Sequence, residues 1–141
     1  PLTEFLRSGL RTGIGTDSPA ATDSTDLLTE MRIGMLVQRA VNVGQFLDSA
    51  TMLEMATIGG ARALKLDDKI GSLEIGKLAD IIAVDLSGSH QTPVVNTCSG
   101  ADVLMTMVDG VQLYEKNKWH VDVEVAKNIA RVIEIRGKLR M

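Results

Sequence analysis

The spacing of apolar positions changes period several times along the chain. Leu2, Phe5 and Leu6 fall at helical spacing and Gly9 supplies a stop, so Pro1 to Ser8 reads as the end of a helix. Leu10 to Thr16 reads as a short strand that tolerates no bulk at Gly13 and Gly15 and ends at Asp17. From about Ser24 to Asn42 the period is helical again. Leu27, Met31 and Met35 share one face, Leu28, Leu36 and Ala40 lie beside it, and Glu30, Arg32, Gln38 and Arg39 turn mostly away. Gly34 inside this helix costs about 1 kcal/mol against Ala, which points to a neighbour packed close against it. Asp48 caps the next helix, Ser49 to about Ile58, with Met52, Leu53, Met55 and Ala56 as its apolar side. Gly59-Gly60 interrupts it, and Ala61 to Leu66 adds a further turn or two.

From Lys69 the texture changes. Ile70 to Lys77 is turn-bearing, and Asp80 to Leu86 (DIIAVDL) is a strand rich in β-branched residues. Ser87 to Gly100 reads as a loop around Pro93. Asp109-Gly110, between Val103–Val108 and Val111–Tyr114, is the strongest hairpin signal present. A turn at Asn117-Lys118 leads to a third short strand, Trp119-His120-Val121. Asp122 then caps a closing helix with Val125, Ile129, Val132 and Ile133 as its stripe. The order gives an α/β chain: one strand–helix unit with extra helices, then a small β assembly and a last helix. It does not close into a fold by itself.

Composition narrows the class. A chain of 141 residues with 45% hydrophobic and 23% charged positions is one globular domain, not a disordered segment. A net charge of −3 argues against nucleic acid as a partner, because phosphate neutralisation needs a basic face. There is no apolar run of the ~18 residues needed to span a membrane, and Pro1-Leu2-Thr3-Glu4 does not resemble a signal peptide. The single Cys98 has no internal disulfide partner and fits a reducing cytosol, hence a cytoplasmic location.

Asp17 is the candidate for chemistry. A carboxylate at the C-terminal end of a strand, opening a loop into a helix, stands where parallel α/β proteins keep their sites. By spacing alone a strand-ending Asp is more often a turn former or helix cap than a ligand. Asp23 and Asp26 do not complete a Ca²⁺ loop with it. Asp23 reads as the cap of the following helix and Asp26 as a charge favouring its positive end. Met31, Met35, Met52 and Met55 read as core, and Gly59-Gly60 lacks the partners of a phosphate loop. His90 and His120, thirty positions apart, form no spaced ligand cluster, and Cys98 has no histidine at nucleophile spacing.

Three stretches carry a resemblance: GIGTDSPAATDSTDLLTEMR, then MLEMATIGGARALKLDDKIGSLEIGKLADIIAVDLSGSHQTPV, then GADVLMTMVDGVQLYEKNKW. They are similar to the C-terminal third of amidohydrolase-superfamily enzymes, in the branch of cytosine-deaminase-like enzymes, chlorohydrolases and methylthioadenosine–S-adenosylhomocysteine deaminases. The likeness runs from Leu2 to about Val121 and is most specific in Ile70 to Asp85. It implies the last strand–helix portion of a (β/α)8 barrel over residues 1–66, part of a small β-sandwich over 67–121 and a closing helix over 122–141. It implies that Asp17 binds a divalent metal, zinc or else iron, and handles a proton of the attacking water. The implied reaction is hydrolysis of a C–N or C–Cl bond on a nucleobase- or triazine-like small molecule.

The family's His-x-His pair, its further histidines and its proton-donating Glu have no counterpart here. A full barrel also takes about 250 residues. The expectation is therefore a C-terminal fragment of a larger hydrolase, inactive alone and without stoichiometric metal. Pro1 inside a helical pattern and a mildly apolar mean hydropathy of +0.12 fit that reading. The alternative is a non-catalytic module that self-associates as a homo-oligomer through open strand edges, or completes a barrel with another chain.

Overall fold

A computed structural model of the chain describes residues 2–22, 24–41, 47–87 and 94–120. Helix α1 (Leu2–Arg7) stops at Gly9, whose φ of +72° is open to glycine at no steric cost. The chain then runs through Thr16 without regular hydrogen bonding, into α2 (Pro19–Thr22) and α3 (Leu27–Val41). Two further helices follow, α4 (Ser49–Ala56) and α5 (Ile58–Leu64).

Leu10 to Thr16 is not a paired strand among the described residues, although its burial keeps a strand's period of two. Thr12, Ile14 and Thr16 are half-buried, while Arg11, Gly13, Gly15 and Asp17 are exposed. A strand is defined by its ladder, and this stretch has no described neighbour to pair with. It rests instead on the glycine pair. The Ile14 N–H donates to Met55 O at 3.3 Å, and a Cβ on Gly13 would stand 2.8 Å from Gly60 Cα. A Cβ on Gly59 would meet Thr12 O at 3.1 Å. The interruption expected at Gly59-Gly60 falls instead at Thr57, whose backbone (φ −122°, ψ −105°) is not helical. The two glycines lie inside α5, where their lack of side chains lets the extended segment come close.

The core is largely sulfur and aliphatic. Leu28, Met31 and Met35 of α3, Met52 and Met55 of α4, Leu47 just ahead of α4, and Val95 and Cys98 form one buried cluster, with Ile14 packed against it. The four methionines thus lie in the core, as read from their spacing. Gly34 is explained as well: a Cβ there would sit 3.1 Å from Met52 Cε. The face of α3 differs from the expected one. Gln38 is buried at 7% exposure and Leu36 is 54% exposed. Ile33, Leu36, Val37 and Val41 form a second apolar stripe facing outward. A helix apolar on two sides does not reveal by period alone which side meets its own chain.

The second half is an antiparallel sheet in the order β1-β2-β3-β4, with β1 at Ile81–Val84, β2 at Val103–Val108, β3 at Val111–Glu115 and β4 at Lys118–Trp119. The hairpin turn is Asp109-Gly110, both at positive φ (+49° and +75°), as a type I′ turn requires. Lys116 and Asn117 repeat the pattern (+45° and +67°), one position before the turn expected at Asn117-Lys118. Ahead of β1, the Lys77 Nζ donates to Asp67 O and Ser72 Oγ, both at 2.6 Å, and pairs with Glu74 at 3.2 Å. One cation thereby holds the whole 67–77 turn. The loop expected from Ser87 to Gly100 contains a helical turn, α6 (Val94–Thr97), and a 3₁₀ turn at Gly100–Asp102 capped by Ser99. Val84 and Val103 carry the sheet onto the helical core. The expected closing helix, and His90, lie outside the described residues.

Candidate active-site carboxylate

Asp17 lies where the extended segment ends. Its backbone is left-handed, with φ +55°, a region that Asp and Asn tolerate better than most residues. The side chain is exposed, and its Oδ1 accepts the Ser18 N–H at 2.7 Å. The Thr16 hydroxyl donates to the Asp17 carbonyl at 3.3 Å. The corner is thus fixed by its own backbone, with Oδ2 free of any described partner. Upstream, the glycine contact holds Thr12 to Ile14 against α5, so the strand-like run delivers Asp17 to a set place.

The donor chemistry fits a divalent cation, since an exposed carboxylate with one oxygen free of any described partner is a suitable single ligand. It is not a whole site. Catalytic zinc typically takes three protein ligands, and among the described residues no group of three or more His, Cys, Asp or Glu could hold an ion. His120 is exposed, and its backbone N–H donates to Leu113 O at 2.8 Å. Cys98 is buried in the core.

Asp26 and Asp48 are the helix caps. Asp48 caps α4 as expected, its Oδ1 accepting the Thr51 N–H at 2.8 Å. That N–H, followed by the Thr51 hydroxyl, holds the Asp48 carboxyl below the usual range. At α3 the described cap is Asp26, the residue expected only to favour the helix dipole, while Asp23 lies outside the described residues. Asp26 Oδ1 accepts the N–H groups of Leu28 (3.0 Å) and Thr29 (3.4 Å). Its Oδ2 accepts the Thr29 hydroxyl (2.6 Å) and the Gly100 N–H (2.9 Å). Burial raises its pKa, but the Thr29 hydroxyl and the N–H groups of Gly100, Thr29 and Leu28 together outweigh that and bring it below the ordinary value. The D-x-x-T spacing was a signal for the cap. Nothing local announced Gly100.

A groove of about 660 Å³ lies between the start of α3 and the sheet, lined in part by Asp26, Leu28, Thr106, Tyr114 and Trp119. Its carboxylate is saturated by those donors, and the Tyr114 hydroxyl is spent on Asn117 at 2.9 Å. Asp17 is not among the lining residues. Neither the acid nor the phenol described in this groove is free, and Asp17 remains the candidate for chemistry.

A profile of the amidohydrolase family matches residues 1–113. The 5-methylthioadenosine/S-adenosylhomocysteine deaminase of Desulforudis audaxviator is 39% identical over 118 residues, covering 78% of this chain and 27% of that protein. The S-triazine hydrolase of Gordonia rubripertincta is 43% identical over 94 residues, covering 66% and 20%. Among solved structures, an adenosine deaminase from Xanthomonas campestris with bound zinc superposes with a TM-score of 0.90 at 32% identity, over 99% of this chain and 34% of that one. Atrazine chlorohydrolase from Arthrobacter aurescens TC1, complexed with zinc, gives 0.78 at 28% identity over 95% and 31%. The chain thus spans about a third or less of these relatives. With the profile covering most of its length, the chain belongs to the amidohydrolase family.

Proposed function

We propose that this chain is the C-terminal part of a metal-dependent amidohydrolase that hydrolyses a C–N or C–Cl bond on a nucleobase- or triazine-like ring. Residues 1–66 are then the last barrel portion, 67–121 part of a β-sandwich and 122–141 a closing helix. Asp17 is the ligand and proton carrier this chain contributes. The observation that carries the reading is an exposed carboxylate ending an extended segment whose burial alternates like a strand's. Relatives that act on purine and triazine compounds, two of them solved with zinc, support the reaction class.

A bound divalent metal, zinc or else iron, supplies a water acidified toward neutrality. Asp17 would hold it through the carboxylate, with the other ligands coming from outside the described residues. The same carboxylate would take up a proton from the attacking water and, for a C–N bond, return it to the leaving nitrogen, general acid–base work of the kind that contributes about 10²–10⁴-fold. For a C–Cl bond chloride would leave as the anion, and the carboxylate would pass the proton to solvent. The left-handed corner and the Ser18 N–H keep the side chain in one place while it does so. In the intact zinc-loaded enzyme, Asp17→Ala should lower turnover by about a thousandfold. Turnover within a few-fold of the parent would sink the assignment.

A second reading, a non-catalytic module that self-associates or completes a barrel with another chain, draws on the outward stripe of α3, Ile33, Leu36, Val37 and Val41. Light scattering of the chain at micromolar concentration separates the two: a stable oligomer favours the module and a monomer counts against it. We also place the protein in the cytoplasm. Among the described residues, no helix is long and apolar enough to cross a membrane.

A further inference from the structure

We propose that Asp26 is a positioning residue for Asp17, acting by clamping the start of α3 to the sheet; this rests on the reading of Asp17 given above. Capping a helix needs one side-chain oxygen, and Oδ1 already does that work. Oδ2 reaches across the fold to the Gly100 N–H, 74 residues away in sequence, at the turn that leads into β2. Asp26 stands nine positions after Asp17. The run containing Asp17 is thus anchored on both sides, at Gly13 against Gly60 before it and at Asp26 against Gly100 after it. Each anchor ties it to a different body, the first to α5 and the second to the sheet. With the second anchor released, α3 keeps its cap and its core packing, but its first turn is no longer tied to the turn before β2, and the run that carries Asp17 keeps only one of its two anchors. A displacement near 1 Å at a reacting group costs on the order of 100-fold in rate.

Two substitutions separate the clamp from the cap. Asp26→Ser keeps a side-chain oxygen for the helix start, since Ser caps about as well as Asp, yet is too short to reach Gly100. Gly100→Pro works from the other side. It removes the N–H at the first position of a helical turn, where Pro is accepted, and Ser99 before it is already extended (φ −137°, ψ 178°), as a residue preceding Pro prefers.

In the intact enzyme, three readouts are compared: zinc affinity of the apo protein against a competing chelator, kcat and KM, and the melting temperature. Each variant should lose about tenfold in zinc affinity and about tenfold to a hundredfold in kcat, with KM near that of the parent and a melting temperature lower by only a few degrees, the share of one lost hydrogen bond. The double variant should be no worse than the single ones, because both break the same bond. Parental zinc affinity and kcat in either variant, alongside an inactive Asp17→Ala, would overturn the clamp and leave the hydrolase reading standing. Losses that simply follow the melting temperature and add in the double variant would also overturn it. An active Asp17→Ala would remove the reading and the clamp together.

Discussion

The β2–β3 hairpin and the run from Leu10 to Thr16 both read as strand from their residues, yet only the hairpin forms a ladder. The hairpin brings its partner with it. Two residues at positive φ reverse the chain, and Thr106 then faces Tyr114 directly across the pair. The run before Asp17 has the right residues and the right period of burial but no described neighbour. What holds it is contact, a backbone laid on two glycines and a single N–H donated to α4. The sheet half of the molecule is therefore held by ladder hydrogen bonds, local in the hairpin and longer-range between β1 and β2, and the helical half is assembled by the fit of side chains and bare backbone.

That contrast predicts where substitutions bite hardest. Met52 is fully buried at the centre of the helical core, and Met52→Ala should cost about 2–5 kcal/mol, read as a lower denaturation midpoint. A cost under 1 kcal/mol would mean that the helical half is not held by packing. Gly13→Ala comes next. Its Cβ would stand 2.8 Å from a backbone atom, and overpacking of this kind costs about 1–3 kcal/mol. In the intact enzyme the same change should lower kcat, because it lifts the segment that delivers Asp17. The sheet's equivalent is Gly110→Ala, which places a Cβ at φ +75° and should cost about 1–2 kcal/mol. Its signature is a lower melting temperature with the zinc affinity retained.

The smallest effect joins the two halves. With its pKa lowered by the Thr29 hydroxyl and three N–H donors against the opposing effect of burial, Asp26 favours the folded state in its charged form. Its contribution is fully present above the ordinary aspartate value of ~3.9 and is lost as pH falls through the lowered one. Asp26→Ser should therefore flatten the acid limb of the stability curve below about pH 4. An unchanged limb in an acid-unfolding titration would contradict that linkage.

Much of the architecture was legible because its signals are local. Asp48 before Ser49, the Asp109-Gly110 pair, Gly9 after α1 and the buried methionines each follow from a few adjacent residues. What was misread depended on what lies across the fold. Gln38 reads as a solvent residue by type, yet it is buried in α3, while Leu36, apolar by type, lies outside. The helical turn at Val94–Thr97 has too few residues to show a period. Gly59-Gly60 reads as a break because glycine weakens helices, but its purpose becomes visible only with Thr12 and Gly13 lying on it. The candidate site divides in the same way. Asp17 was visible as a strand-ending acid, and the role proposed for it rests on likeness to a family. Its anchor at Gly100 had no trace in the residues around Asp26.

The left-handed backbone at Asp17 also restricts how this corner can change. Gly, Asn and Asp sit there most easily, and of these Asp alone offers an anionic oxygen. Replacement by glutamate or cysteine, two other common metal donors, would add backbone strain of about 1–2 kcal/mol at this corner. Variation among descendants of this chain is therefore channelled toward the surrounding loops, while the acid stays or is lost outright.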